Sequence, residues 1–365
     1  MLPTKISLVE CTELMEKNNG TLDLIRSLIT SLPDNLTVEE NLLLSYSKIK
    51  ELPKGLTVGG YLHLGGTEIE SLPDDLSIGG SLDLRDSKIK ELPKGLTVGG
   101  YLHLGDTEIE SLPDDFSIDG NLDLGGSKIK ELPKGLTVGG DLNLSSTEIE
   151  SLPDDLSVGG SLDLGGSKIK ELPKEMKVGS YLHLGVTEIE SLPDNFSICG
   201  SLDLWGSKIE SLPDDLFVGG NLKLWHSKIK ELPRGLTVGG DLNLGGTAIE
   251  SLPDDLSVGG NLYLQDSKIK KLPTGLNVSD SLNLQRTEVE SLPDNLSVGK
   301  NLYLQDSKIK KLPMGLNVGG DLDLRGTGNE SIPDDISVGC DLLLKDSHVS
   351  LVPNDTNIGG EIKWN

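Results

Sequence analysis

The sequence contains few of the residues that build a large hydrophobic core or a disulfide framework. Aromatic residues make up 3% of the 365 positions, hydrophobic residues make up 35%, and there are three cysteines. This hydrophobic content is low for a globular domain, and three cysteines are too few to supply the disulfides of a small secreted fold. The low hydrophobic content predicts a thin core that extends along the chain. The lack of a disulfide framework is consistent with a reducing compartment.

The sequence also has little positive charge and no long apolar run. It holds 33 Lys and Arg against 58 Asp and Glu, a formal net charge of −25. Such a surface disfavours binding to nucleic-acid phosphates or to an anionic membrane, and it favours a basic partner. No run reaches the ~20 apolar residues that span a bilayer, and the N-terminus lacks a signal-peptide pattern. We predict a cytoplasmic protein, or one secreted into a host cell without a classical signal peptide.

One pattern dominates the chain. From residue 21 to residue 360 a 20-residue unit recurs without insertion or deletion, so these 340 residues hold seventeen units. The unit reads x-L-x-L-x-x-[ST]-x-I-x-x-L-P-x-x-L-x-V-G-G, and we number its positions 1 to 20. A short fixed period predicts a solenoid, in which each coil buries its apolar face against its neighbours.

The unit 121–140 shows how a coil is expected to fold. Leucines at positions 2 and 4 alternate with polar residues, as in a strand with one buried face. The segment around Ile129 and the pair Leu136 and Val138 repeat this alternation. Pro133 favours a bend, and so does the Gly-Gly pair that ends the unit. We predict an all-β coil without a helix, whose strands pair in parallel with the same strands of neighbouring coils.

Charge is patterned along the repeat. Identical coils would stack like charges ~4.8 Å apart, where they repel. Alternate units instead read KIKELPKGL and EIESLPDDL, so Lys128 and Lys130 are expected between glutamates of the two adjacent coils. The alternation is interrupted once, at 207–216, where SKIESLPDDL follows another acidic unit. We interpret the 40-residue superperiod as electrostatic pairing between coils.

Both ends of the chain depart from the repeat. In the first 20 residues Leu8, Cys11 and Met15 fit one helical face, which predicts a short amphipathic helix covering the first coil. At the other end Trp364 falls at a leucine position, where it either closes the core or precedes further chain. The predicted organisation is an N-terminal cap at 1–20, one solenoid of seventeen repeats at 21–360, and a C-terminal partial repeat or cap at 361–365.

The pattern LxLxx[ST]xIxxLPxxL resembles the leucine-rich repeat, LxLxxNxLxxLPxxL. It is most similar to the short repeats of bacterial leucine-rich repeat proteins, including secreted effectors of Gram-negative pathogens, over about 340 of the 365 residues. Two positions differ, because Ser or Thr replaces the inward Asn and glycines stand near one usual Leu. The Gly-Gly corner also resembles triangular β-solenoids such as bactofilins. The resemblance implies a leucine-rich-repeat-like stack of parallel strands, with a right-handed triangular β-helix as the alternative, and protein binding on the LxL face.

Positions 1, 3, 5 and 6 flank the inward leucines and are expected to face outward. They hold most of the tyrosines and histidines, and two tryptophans that follow each other at position 5. Tyrosine and tryptophan often anchor interfaces, although stacking between coils without a partner would also place them here. We predict a protein-binding surface made by Trp205, Trp225, His226, Tyr181, His183, Tyr101, His103, Tyr61, His63, Tyr263 and Tyr303.

Histidine and aspartate alternate at position 3, beginning with His63, Asp83 and His103. The two histidines are two coils apart, roughly 9–10 Å, whereas His–metal bonds are near 2.0–2.1 Å. We therefore predict a hydrogen-bonded His–Asp ladder, and neither a metal nor a cofactor. The sequence has no GxSxG, HExxH, CxxC or P-loop motif, so we predict that the protein is not an enzyme.

The function favoured by these features is a non-enzymatic scaffold that binds a protein on the LxL face, as in a bacterial or phage effector. One alternative is a structural solenoid that self-assembles end to end or through its strand edges. Another is an acidic decoy that mimics DNA toward a basic protein, although the interleaved lysines weaken it. Monomer and homo-oligomer both remain open at this point.

Overall fold

The computed structural model describes residues 5–114 and 116–365. In these residues the chain forms a parallel-strand solenoid of about seventeen coils, preceded by one short helix. This confirms the predicted all-β, leucine-rich-repeat-like stack with a helical N-terminal segment. The chain divides into two compact units, Met1–Leu182 and His183–Asn365, the first described from Lys5 onward and apart from Asp115. No helix in the described part is long and apolar enough to cross a membrane.

In the first unit, most coils contribute two strands of two residues each. The first begins at position 2 of the repeat, and we call it the LxL strand; the second begins at position 17, and we call it the corner strand. The LxL strands are Leu22–Asp23, Leu42–Leu43, Leu62–His63, Leu82–Asp83, Leu102–His103, Leu122–Asp123, Leu142–Asn143, Leu162–Asp163 and Leu182–His183, which ends in the second unit. The corner strands are Thr37–Val38, Thr57–Val58, Ser77–Ile78, Ser117–Ile118, Thr137–Val138, Ser157–Val158 and Lys177–Val178. In the coil that contains Val98, a single bridge to Ile78 takes the place of the corner strand.

The second unit repeats the same two elements. Its LxL strands are Leu202–Asp203, Leu222–Lys223, Leu242–Asn243, Leu262–Tyr263, Leu282–Asn283, Leu302–Tyr303, Leu322–Asp323, Leu342–Leu343 and Ile362–Lys363. Its corner strands are Ser197–Ile198, Phe217–Val218, Thr237–Val238, Ser257–Val258, Asn277–Val278, Ser297–Val298, Asn317–Val318, Ser337–Val338 and Asn357–Ile358.

Strand register follows the repeat. Leu122 pairs in parallel with Leu102 on one side and Leu142 on the other. In the corner strands Val138 pairs in the same way with the residues 20 positions before and after it. Each repeat position therefore forms its own column of stacked residues, as predicted. Consequently, a substitution in one coil is felt first by the same position in the coils above and below.

The core is built from the apolar positions of the repeat. Leu122, Leu124 and Ile129 are buried, and so are Leu136 and Val138. This confirms the inward side of the predicted cross-section. The hydroxyl at position 7 also points inward: Thr147 and Ser127 each donate, at 2.6 Å, to the carbonyl oxygen of the residue three positions earlier. The buried hydroxyl thereby closes the turn that follows the LxL strand.

The predicted third strand around Ile129 is wrong. The backbone there is irregular, and the hydrogen bond from Lys130 N to Glu110 O is long at 3.4 Å, whereas Leu122 N lies 2.8 Å from Asp141 O. The Leu-Pro pair follows this segment directly, and proline has no N–H to continue a ladder. The coil therefore has two regular ladders in the described residues, unlike the three sides of the alternative triangular β-helix.

The N-terminal helix, Leu8–Lys17, confirms the predicted helical cap. It begins with a capping box, in which Glu10 N donates to Ser7 Oγ and Ser7 N donates to Glu10 Oε2. The helix packs on the strand Leu22–Asp23 and buries Cys11. Leu8 is exposed, so its predicted place on the buried face is wrong. Ile6, just before the helix, is buried instead.

The last residues form the strand Ile362–Lys363, which pairs with Leu342–Leu343. Trp364 follows it with 46% of its surface exposed. Of the two alternatives predicted for Trp364, closure of the core is therefore wrong, since Ile362 of the same segment is exposed as well. The other alternative, that Trp364 precedes further chain, stays a prediction.

Candidate functional site on the outward face of the LxL strands

The charge ladder of the first unit pairs as the sequence predicts. Lys128 contacts Glu108, and Lys130 Nζ lies 3.3 Å from Glu110 Oε2. Similarly, Lys170 Nζ lies 2.7 Å from Glu150 Oε2, and this hydrogen bond holds the pKa of Glu150 below its ordinary value. In each case the lysine reaches the preceding coil. The charged corners thus satisfy one another, which leaves the outward face of the LxL strands as the distinctive surface.

On that face in the first unit, Asp123 is the hub of a hydrogen-bonded network. Its Oδ2 accepts from the Tyr101 hydroxyl at 3.1 Å and lies 3.1 Å from Nδ1 of His103. Its Oδ1 accepts from Asn143 Nδ2 at 2.8 Å and from Gly125 N at 2.9 Å. Burial, reinforced by the Asp123 carboxylate, raises the pKa of Tyr101. These groups bind chiefly to one another, so most of the hydrogen-bonding capacity of Asp123 is used within the chain.

A second His–Asp contact lies two coils earlier. His63 Nδ1 is 3.6 Å from Asp83 Oδ2, and the His63 ring lies against that of Tyr61, with centroids 5.8 Å apart. Asp83 is also bound by Arg85, whose Nη2 lies 2.8 Å from Oδ2. Burial alone would raise the pKa of Asp83, but the hydrogen bonds from Arg85 outweigh it and lower that pKa.

In the described part of the first unit, the predicted His–Asp ladder is therefore present as the contacts of His63 and His103, each with the aspartate of the following coil. Within the described residues there is no group of three or more His, Cys, Asp or Glu side chains arranged to hold a metal ion.

In the second unit the outward face carries two exposed indole rings. Trp205 and Trp225 are 40% and 43% exposed, and their rings stack with centroids 6.2 Å apart and planes 28° apart. The ring of His226 packs on Trp225 with a centroid distance of 4.5 Å. The sequence predicted this trio from the two tryptophans in one column, and the structure brings its members into contact.

Val186 belongs to the same surface but was missed by the sequence reasoning. It is 54% exposed, and its backbone N–H donates to the carbonyl oxygen of Trp205 at 2.8 Å, which places it on the adjacent coil. We call the surface formed by Val186, Trp205, Trp225 and His226 the indole patch. A valine at position 6, where most coils carry glycine or a polar residue, was the signal available in the sequence.

Glycines in the next coil make room for these rings. A Cβ atom at Gly246 would lie 2.5 Å from Nδ1 of His226, and one at Gly245 would lie 3.1 Å from the Trp225 ring. Gly246 also has a φ of +65°, which favours glycine independently. A sequence can therefore indicate a ring that lies along the face. The signal is a pair of bulky residues at positions 5 and 6 of one coil and two glycines at the same positions of the following coil.

The remaining predicted residues are dispersed. Tyr303 accepts a hydrogen bond from Asn301 Nδ2 at 2.8 Å, and burial with the nearby Asp241 carboxylate raises the pKa of Tyr263. Both lie on the same face of the second unit, Tyr263 two coils and Tyr303 four coils beyond Trp225.

His183 begins the second unit, and its Nε2 would lie 2.7 Å from a Cβ at Gly185. Tyr181 belongs to the first unit, so its place beside the indole patch stays a prediction. Tyr46, exposed in the first unit beneath the Arg26 guanidinium, was missed by the sequence reasoning.

Comparison with known proteins identifies the fold rather than a family. No family model matches the chain, and a search of curated proteins finds no match. Among solved structures, the leucine-rich effector YopM of Yersinia pestis aligns with 97% of this chain and 91% of its own, at 16% identity and a TM-score of 0.48. A leucine-rich repeat protein of Leptospira interrogans aligns with 92% of this chain and 95% of its own, at 18% identity and a TM-score of 0.46.

A chain of the Toll–Spatzle complex of Drosophila has a TM-score of 0.53 at 14% identity. The alignment includes 95% of the present chain but 52% of the Toll–Spatzle chain, so the present protein spans about half the length of that neighbour. At such identities a likeness concerns the fold, and function has to be argued from the site. By its own architecture the protein is a leucine-rich-repeat-like solenoid, and it is similar in fold to the chain of the Toll–Spatzle complex.

Proposed function

We propose that this protein is a non-enzymatic interaction scaffold that binds a protein partner on the outward face of its LxL strands, with the indole patch at the centre of the site. The observation that carries the proposal is the pair of stacked, exposed tryptophans in the second unit. Tryptophan is enriched among the residues that dominate binding energy. An exposed apolar cluster on an otherwise polar and charged surface typically marks a site of association.

The fold itself does not require these indoles. In the coil after Trp225, position 5 is Gly245, and the leucines beneath it, Leu242 and Leu244, are still fully buried. The LxL core is therefore complete without an aromatic side chain above it. Exposing two large apolar rings to water is unfavourable, and the fold gains no core packing from it. A partner that covers the rings would remove this apolar area from water and thereby gain binding free energy.

The first unit adds a contrasting surface to the proposed face. Tyr101, His103 and Asp123 are bound to one another, so they offer a preformed polar surface rather than a free apolar anchor. We propose these residues, together with Tyr61 and His63, as a polar binding surface within the first unit. An effector role, in the cytoplasm or after delivery into a host cell, is a narrower form of this proposal and rests on the repeat pattern alone.

The test uses a double variant and a matched control. Trp205→Ala with Trp225→Ala removes the indoles, whereas Phe217→Ala removes a ring that is 44% exposed in a corner strand of the same unit. Partners recovered with the wild-type chain are then titrated against all three proteins by calorimetry. We expect the double variant to lose about 2 kcal/mol or more, roughly 30-fold in Kd, and the control to bind as the wild type does. Equal binding by all three proteins would place the site elsewhere.

A further inference from the structure

The indole patch lies where the alternation of charge is interrupted, and the interruption isolates one lysine. At position 8 of a regular coil, Lys128 stands between Glu108 and Glu148 and contacts the first of them. At the same position in the patch, Lys228 stands between Lys208 and Ala248. The column that normally alternates in sign therefore gives Lys228 no carboxylate on either side.

Several charged side chains in the neighbouring coils already have partners. Lys208 contacts Glu188, and Lys223 Nζ lies 3.2 Å from Asp203 Oδ2. Further along the face, Asp266 binds Arg286 through two hydrogen bonds of 2.7 and 2.8 Å. Lys228 is exposed and forms no ion pair within residues 5–114 and 116–365. The margin of the indole patch thus carries a positive charge without an ion pair, on a chain whose net charge is −25.

Lys228 is adjacent to the apolar surface. It follows His226 by two residues, just beyond the turn that holds Trp225 and His226, so the backbones of Lys228 and His226 are at most about 7 Å apart. The His226 ring in turn packs on Trp225. A basic group seated on the indoles would have this lysine as a neighbour, and like charges repel. A carboxylate in the same place would gain a charge-assisted hydrogen bond. The local sign of the charge therefore favours an anionic group on the partner.

The overall charge of the chain acts in the opposite direction, but over longer distances. Electrostatic interactions between exposed charges are screened beyond a Debye length of ~8 Å at physiological ionic strength. A direct contact with Lys228 lies well inside that distance. Local complementarity therefore decides which group sits beside the indoles, and the net charge chiefly slows the approach of an acidic partner.

We infer that the partner docks an acidic peptide segment on the indole patch, with an apolar side chain over Trp205 and Trp225 and a neighbouring carboxylate on Lys228. This inference rests on the function proposed above, because it names the chemistry of the partner at the same site. It also explains why the ladder is irregular at this place. A glutamate at position 8 would pair with Lys208 and continue the alternation, so the lysine weakens the ladder and supplies a binding charge instead.

The test uses two fluorescent probes that differ in one anionic group. 8-Anilinonaphthalene-1-sulfonate carries two apolar ring systems and a sulfonate, which stands in for the partner's carboxylate. N-phenyl-1-naphthylamine has the same rings without the sulfonate. Both are titrated in a Trp364→Phe background, where energy transfer from the remaining indoles, Trp205 and Trp225, reports binding at the patch. The proteins compared are this background, Lys228→Glu, Lys228→Met, and the control Lys128→Glu in the first unit.

We expect both Lys228 variants to bind the sulfonate probe about tenfold more weakly, since one charge-assisted hydrogen bond is lost, and to bind the neutral probe within twofold of the background. Lys128→Glu should leave both affinities unchanged. If the sulfonate probe binds all four proteins alike, the acidic-partner inference is wrong and the indole patch still stands.

The proposed function has its own readout in the same experiment. Quantified by total probe fluorescence, Trp205→Ala with Trp225→Ala should abolish the binding of both probes at this site. If that variant retains full binding, or if neither probe binds the parent protein, the patch is not an apolar docking surface and both proposals fail.

Discussion

Aromatic residues occupy the same outward face in both units, but their surroundings differ. In the first unit, the Tyr101 hydroxyl and the His103 ring are both bound to Asp123. In the second unit, Trp205 and Trp225 stack on each other and stay exposed. The difference shows that an aromatic residue on this face is not by itself a sign of binding. Exposure alone does not distinguish the indole pair either, because Tyr46 and Tyr61 of the first unit are also exposed. What sets the pair apart is that two large apolar rings stack on each other and together form one exposed patch.

The largest expected effect is a difference in the free energy of unfolding between a variant of the Asp123 network and a variant of the indole patch. Asp123→Ala removes an acceptor of hydrogen bonds from Tyr101, Gly125 and Asn143, and a contact of His103. Because hydrogen bonds to a charged group contribute roughly 1.5–3 kcal/mol each and some of these donors are partly exposed, we expect a total loss of about 2–3 kcal/mol. Urea unfolding measures it. Trp205→Ala with Trp225→Ala should cost less than about 1 kcal/mol. The reverse order would assign the indoles to the structure and the network to binding.

A second expected effect is the pH dependence of the Tyr101 network. Burial and the Asp123 carboxylate raise the pKa of Tyr101 above its ordinary value, so the folded protein keeps the phenol neutral where the unfolded chain ionises it. The resulting stability is fully present below the unfolded pKa of about 10 and is lost as the pH rises through the folded pKa. The loss is at most about 1.4 kcal/mol per pH unit, and partial exposure of Tyr101 reduces it.

The measurement compares urea unfolding of the wild type and Tyr101→Phe between pH 8 and pH 11. Other groups titrate in both proteins, so the informative quantity is the difference between the two slopes. We expect the wild type to lose stability more steeply above pH 10. Parallel curves would show that the phenol is no more protected in the folded state than in the unfolded chain.

Much of the fold follows from the sequence because stacking gives every position of the repeat one environment. The burial of Leu122 and Leu124, the parallel register and the capping helix are all consequences of period and polarity. The strand expected at Ile129 failed for a local reason, since alternation over three residues does not distinguish a strand from an extended segment that enters a Leu-Pro turn.

The candidate site was less predictable because it depends on side chains that the repeat leaves unconstrained. The column of tryptophans was readable, whereas Val186 and the ring contact of His226 depend on how neighbouring coils meet. Likewise, the corner carboxylate of Asp155 accepts a hydrogen bond from the backbone N–H of Gly135 at 2.8 Å. Nothing in the alternation of charge indicates this contact with the backbone.

The smallest expected effect compares one substitution at one position of the repeat in both units. Lys128→Glu sets a third carboxylate between Glu108 and Glu148, so it should lower the urea midpoint. Lys228→Glu sets a carboxylate beside Lys208 and Ala248, so it should raise the midpoint. Both shifts are small because these side chains are exposed, and both should shrink as salt screens them. Because both variants exchange Lys for Glu at position 8, differences in backbone propensity cancel when the two are compared. Measuring each at low and at high salt then isolates the electrostatic part of the shift. Shifts of the same sign would mean that neighbouring coils do not set the electrostatic environment of position 8, and the interruption at Lys228 would then lose its significance for binding.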